Sequence, residues 1–146
     1  MFNKILVVCV GNICRSPTGE RLLQAVLPNK YIASAGIGVS KSGLDGKGAD
    51  KQAQMIAELN NVSLEGHQSQ QLTVAMCLEF DLILVMEKGH IDAVCHLAPE
   101  VRGKVMLFGQ WIGAKDIPDP YRKSPEAFEF AFELLLQSTQ AWASKL

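Results

Sequence analysis

The chain lacks a disulfide framework, a sizeable net charge and long apolar runs. Its four cysteines, Cys9, Cys14, Cys77 and Cys95, are not spaced as a disulfide framework. That argues against a stapled secreted scaffold and for a reducing, cytoplasmic setting. The 14 Lys and Arg face 15 Asp and Glu, for a net charge of −1. No basic face is advertised, so no nucleic-acid partner is expected. No apolar run is long enough to span a bilayer and no secretory hydrophobic region is present, so no membrane insertion is expected. Residues 36–48 hold five glycines but no GxGxxG or Walker pattern. His90, Cys95 and His96 lack a zinc spacing, so neither metal nor cofactor is expected. Cys77 and Cys95 read as core residues. No linker, repeat or low-complexity stretch divides the 146 residues, and 48% hydrophobic content suits one compact domain over 1–146.

What the chain does have is alternation. Residues 4–8 form a continuous apolar run rich in β-branched side chains, which predicts a strand buried on both faces. Further strands are predicted at 31–35, 81–86 and 104–108. A first helix is predicted from Ser16 as N-cap and Pro17 as first helical residue, with Leu22, Leu23, Val26 and Leu27 as its apolar stripe. Others are predicted from Asp50 through Leu59, with Ala53, Met55, Ile56 and Ala57 as apolar positions, from Thr73 to Glu79, and over 90–97 up to Pro99. The last runs from Ser124 to about Trp142, with Phe128, Phe132, Leu135 and Trp142 near one face. Residues 64–72 read as a polar loop around His67. The fold class is α/β: one four-stranded parallel sheet flanked by helices on both faces. Right-handed crossovers bring the C-terminal strand ends to one edge, where ligands sit in such sheets.

Cys9, Val10, Gly11, Asn12, Ile13, Cys14, Arg15 and Ser16 stand at such an edge, between a strand and a helix start. Five residues between Cys9 and Arg15 let the backbone curl so that several N–H groups converge. The helix adds unsatisfied donors and the positive end of its dipole. Together they favour a doubly charged oxyanion without a metal. Gly11 permits close approach or positive φ, and Asn12 tolerates the left-handed region. Arg15 supplies a planar fork for two phosphate oxygens. Donors that hold phosphate also favour a thiolate at Cys9, which would attack phosphorus in line and form a phosphocysteine.

A leaving oxygen needs a proton. Asp119 is the candidate donor, in Ile117-Pro118-Asp119-Pro120-Tyr121, where flanking prolines restrict the backbone. It could then deprotonate the water that hydrolyses the phosphocysteine. Tyr121 could wall the site and stack on an aromatic ring.

Residues 9–16 with Pro17, and Asp119-Pro120-Tyr121 near the other end, resemble the low-molecular-weight protein tyrosine phosphatases. The resemblance covers nearly the whole chain. It implies the phosphotyrosine protein phosphatase I-like fold, with Cys9 as nucleophile, Arg15 as phosphate ligand and Asp119 as general acid. Asn12, Ser16, Ser34 and His67 match positions that hold the loop and tune the thiol. Where eukaryotic relatives carry a substrate-facing Trp, this chain offers Val39 and Leu44 as rim residues beside Tyr121. Cys14 either packs or traps an oxidised Cys9 as a reversible disulfide.

Other readings share this fold. An arsenate reductase needs two further redox cysteines close together, and Cys77 and Cys95 are widely spaced. Protein-arginine phosphatases carry Thr where Ile13 stands. A non-catalytic phosphate-binding module would need neither nucleophile nor acid. Residues 64–67, 101–111 and 117–124, including Tyr121-Arg122, look like a bacterial branch that acts on autophosphorylating tyrosine kinases of capsule and exopolysaccharide export. The resemblance therefore implies a phosphotyrosine-rich kinase as protein substrate, met by a monomer or weak dimer.

Overall fold

The computed structural model describes residues 2–146. Strand β1 (Lys4–Cys9) is followed by helix α1 (Arg15–Val26) and strand β2 (Tyr31–Gly36). Helices α2 (Lys51–Leu59) and α3 (Val74–Glu79) lead to strand β3 (Leu82–Val85). Helix α4 (Lys88–Leu97) and a 3-10 segment (Pro99–Lys104) precede strand β4 (Val105–Leu107), and helix α5 (Pro125–Lys145) closes the order. The sheet has four strands in the order β2-β1-β3-β4, and every pair is parallel.

Side chains along β1 alternate between two cores, as the period of a strand requires. Ile5 and Val7 pack with Leu22 and Leu23 of α1 and with Phe128, Phe132 and Leu135 of α5. Leu6 and Val8 pack on the other face with Cys77 of α3 and Val94 and Cys95 of α4. All four β1 side chains are fully buried. Each contributes about 1.5–3 kcal/mol by leaving water. Cys77 and Cys95 are core residues, as expected.

The topology fixes where a ligand can go. From β1 the chain moves to β2 on one side, then returns to β3 on the other. Connections diverge at the C-terminal ends of β1 and β3, which opens a crevice there. Cys9 ends β1 and lies in that crevice.

Several local expectations are corrected. Helix α1 starts at Arg15 with Cys14 at the N-cap, without a side-chain cap. Ser16 is inside the helix, because its hydroxyl is engaged by long-range partners described below. Val26 and Met55 are exposed rather than core-facing. Helix α4 begins at Lys88, two residues before the expected His90, and Pro99 opens a 3-10 segment. Strands β3 and β4 are shorter at both ends than expected. The caps at Asp50, Thr73 and Ser124 do form: each side chain accepts a hydrogen bond from a first-turn N–H.

Candidate active site

The loop after β1 is pinned from behind. Ile37 and Gly38 donate backbone hydrogen bonds to the carbonyls of Cys9 and Val10. Gly36 makes that approach possible: a Cβ there would lie 2.5 Å from both the Val10 carbonyl oxygen and Val39 Cγ2. Gly11 serves by close approach and not by positive φ, since its own Cβ position lies 3.2 Å from Leu44 Cδ1. Asn12 takes the left-handed turn, at φ 56°.

Asn12 is the hub, and its orientation follows by elimination. The Gln70 N–H donates to Asn12 Oδ1 at 3.0 Å, so the amide nitrogen must face the other way. Nδ2 donates to Ser16 Oγ at 2.7 Å and to Ser34 Oγ at 3.0 Å. The Ser34 hydroxyl in turn donates to Glu20 Oε1 at 2.7 Å. The Asn12 carbonyl only accepts, so His67 Nε2 and the Ser69 hydroxyl both donate to it, at 2.6 and 2.8 Å. Burial holds the His67 ring below its ordinary pKa, although the bond to Asn12 opposes this.

That network aims two donors at the thiol. Ser16 Oγ accepts from Asn12, which leaves its one proton for Cys9 Sγ at 2.9 Å, closer than the Ala35 carbonyl at 3.4 Å. The Asn12 N–H reaches Sγ at 3.3 Å. Among the described residues, the N–H groups of Gly11, Ile13 and Cys14 find no acceptor within the chain. A loop with several such donors, ending at a helix N-terminus, is an anion cradle.

Arg15 is 2% exposed and its guanidinium is held on two sides. Nη1 donates to Glu87 Oε2 at 2.5 Å and to the Ile117 carbonyl at 2.8 Å. Nη2 lies 3.8 Å from Asp119 Oδ2. Ile117 is itself buried and tied to the end of β3 by its N–H on the Met86 carbonyl. His90 Nε2 stands 3.8 Å from Glu87 Oε2, and its Nδ1 is buried without a partner. Burial and the neighbouring Arg15 charge keep His90 below its ordinary pKa, against the pull of Glu87.

Cys9, Val10, Gly11, Ile13, Cys14, Arg15, Ser42, Leu44, Asp119, Tyr121 and Arg122 line one cleft of about 310 Å³. That volume suits a small aromatic group. The expected nucleophile, phosphate loop, acid and aromatic wall thus meet around one space. Val39 does not join them: it is fully buried beneath Gly36, because the turn closed by the Leu44 N–H on the Val39 carbonyl sends it inward. Ser42 takes its place on the rim. Cys14 also borders a narrow apolar gap of about 20 Å³ between α1, α2 and α5, with Ile56, Phe128 and Phe132. Burial, with Asp50 nearby, pushes its thiol far up.

Three features escaped the sequence. Glu87, Ser42 and Arg122 each touch the cleft or its arginine. Glu87 carried a positional signal, since it lies two residues past β3 at the switch point of the sheet, and Arg122 stood beside Tyr121 in the resemblance.

Comparison with known proteins agrees with this geometry. The family model described as low molecular weight phosphotyrosine protein phosphatase matches residues 4–146. The chain is 56% identical over 146 residues to the low molecular weight protein-tyrosine-phosphatase Wzb of Salmonella typhimurium, covering 100% of this chain and 95% of that protein. It is 66% identical to the solved Vibrio vulnificus Wzb in complex with benzylphosphonate, with a TM-score of 0.98 and 100% of both chains covered. The YwlE arginine phosphatase from Geobacillus stearothermophilus shares the fold at a TM-score of 0.88 with 30% identity, over 97% of this chain and 91% of that one. A cysteine at the foot of an anion cradle, faced by an aspartate and a tyrosine, is thus carried on a chain that matches one family almost from end to end. The chain belongs to the low-molecular-weight phosphotyrosine protein phosphatases and is a protein-tyrosine phosphatase.

Proposed function

We propose that Cys9 is the nucleophile of this phosphatase, Arg15 its phosphate ligand and Asp119 its general acid. One observation carries the reading: Cys9, Arg15, Asp119 and Tyr121 line the same cleft although they come from opposite ends of the chain. The phosphotyrosine ring lies between Tyr121 and the apolar side chains of Ile13 and Leu44. Its phosphate is held by the loop N–H groups and the Arg15 fork. The Cys9 thiolate forms the S–P bond as the P–O bond to tyrosine breaks. Asp119 gives its proton to the departing phenol oxygen. Water then attacks phosphorus, yields a proton to Asp119, and the S–P bond breaks to release phosphate.

Asn12, Ser16, Ser34 and His67 act through the loop, by fixing the donors that face Sγ. Glu87 acts through Arg15. The protein substrate is an autophosphorylated bacterial tyrosine kinase of capsule or exopolysaccharide export, met in the cytoplasm. Resemblance of residues 64–67, 101–111 and 117–124 to that branch supports this choice. No helix among the described residues is long and apolar enough to cross a membrane.

The test uses radiolabelled phosphotyrosine peptide with chelator present and phosphoserine and phosphoarginine peptides as controls. Rapid quenching should trap label on Cys9 in wild type and none in Cys9→Ala, which has no side-chain acceptor. Turnover of phosphoarginine in preference to phosphotyrosine would overturn the substrate class. Undiminished phosphorylation of a co-expressed cognate kinase would overturn the partner.

A further inference from the structure

We propose that Arg122 forms a second anion subsite on the rim of the cleft, which selects phosphotyrosines flanked by a negatively charged side chain. The flanking group is an acidic residue or a second phosphotyrosine. This rests on the reading that the cleft takes phosphotyrosine.

Four observations converge on Arg122. It lines the same cleft as Cys9, beyond the tyrosine wall. Its guanidinium carbon lies 5.2 Å from the centre of the Tyr121 ring, a cation–π contact that places this exposed cation beside the cleft wall. Its backbone stands at φ 61°, an uncommon state for a long side chain, in a turn closed by the Lys123 N–H on the Pro120 carbonyl. Among the described residues it has no carboxylate partner and no hydrogen bond.

That last point separates Arg122 from the other cleft arginine. Arg15 is committed to Glu87 and the Ile117 carbonyl, with Asp119 nearby. Asp119 does not answer Arg122 either: Oδ1 accepts the Tyr121 N–H at 3.1 Å, and Oδ2 faces Arg15. The opposite lip, Ser42 and Leu44, is neutral. So an exposed, unanswered positive charge borders the cleft in a chain of net charge −1. A phosphate seated over Cys9 is met by the loop. The anion that Arg122 meets therefore belongs to a residue flanking the phosphotyrosine.

The test compares three peptides of one sequence: phosphotyrosine with neutral neighbours, with glutamate neighbours, and with a second phosphotyrosine alongside. The readout is the ratio of kcat/KM values, for wild type and for Arg122→Lys, Arg122→Asn and Arg122→Glu. Wild type should favour the glutamate peptide about two- to fivefold over the neutral one, as exposed ion pairs allow, and the doubly phosphorylated peptide more. The preference should shrink as salt shortens the screening length. Arg122→Asn accepts the left-handed turn and should bring the glutamate ratio close to one and the doubly phosphorylated ratio down to about two, the statistical value for a peptide with two cleavable sites. Arg122→Lys should keep part of the preference, and Arg122→Glu should invert it.

Equal wild-type rates on all three peptides would overturn the subsite. So would a glutamate preference that survives in Arg122→Asn. The wild-type ratio and its salt dependence need no variant to fold. Failure to hydrolyse even the neutral phosphotyrosine peptide would instead overturn the reading of the cleft. Comparing the glutamate and doubly phosphorylated arms tells which anion is the better match.

Discussion

Asn12 is fully buried, and its backbone N–H, its carbonyl and both ends of its amide are all engaged. Across the cleft, the Asp119 side chain is 49% exposed and is tied down by one hydrogen bond and a 3.8 Å ion pair. The loop half of the site is over-determined, while the acid half is lightly held between two prolines. The difference follows from what each half must do. A phosphate cradle stabilises charge only if its donors are already aimed when the charge develops. An acid must follow a leaving oxygen that moves as the bond breaks, and must then meet water. The rim residues Tyr121 and Arg122 lie on the lightly held side.

The comparison breaks first at the nucleophile. Cys9→Ser keeps a hydrogen-bonding side chain in the cradle but removes the thiolate. Turnover should fall by about 10⁴-fold or more. Inorganic phosphate should still bind by calorimetry, and the melting temperature should hardly move. Loss of phosphate binding together with activity would mean that Cys9 also shapes the cradle.

The second break is at the acid. Asp119→Ala should lower kcat on phosphotyrosine peptides by about 10²- to 10³-fold. Stability should change by no more than about 0.5 kcal/mol in urea melts, as for an exposed side chain. A phosphoenzyme should also persist longer, because the same carboxylate activates water.

Asn12→Ala tests the opposite half and should show the reverse pattern. It strands the Ser34, Ser16 and Gln70 partners and puts alanine at φ 56°. A stability loss of about 2–4 kcal/mol is expected, with a fall in kcat and little effect on the Asp119 step. If Asn12→Ala were as stable as wild type, the contrast between a rigid and a lightly held half would fail.

The same contrast explains what was legible in the chain. Cys9, Arg15 and Asp119 stand at junctions of elements whose patterns are local: an apolar run, a helix start, a proline-flanked loop. Ser16 was misread as a cap because its local signal is outweighed by a partner whose bond depends on Gln70, far along the chain. Glu87 meets Arg15 across 72 residues, a pairing that only the strand order creates. Val39 and Ser42 differ in facing because of one turn, closed between Leu44 and Val39, and no periodicity encodes it. The parallel sheet followed from alternation, whereas its strand order did not, and the exact helix ends depended on caps that compete with tertiary bonds.

The smallest effect sharpens the comparison through pH. In the unfolded chain His67 binds a proton below about pH 6.5. In the folded chain burial resists that proton, so the folded pKa is lower. As pH falls through this window the unfolded state gains protons that the folded state refuses, and stability is lost. His90 carries a depressed pKa of the same sign, so its contribution runs in the same direction. Melting temperature should therefore decline below about pH 6.5, less steeply in His67→Gln and least in a His67→Gln, His90→Gln double variant. The single variant retains a donor for the Asn12 carbonyl, which separates loss of titration from loss of the bond. His67 braces the loop and His90 neighbours the Glu87 that holds Arg15, so acid should loosen the cradle side first. An equal slope in all three proteins would mean that neither ring titrates with folding, and that the rigidity of the loop owes nothing to a neutral His67.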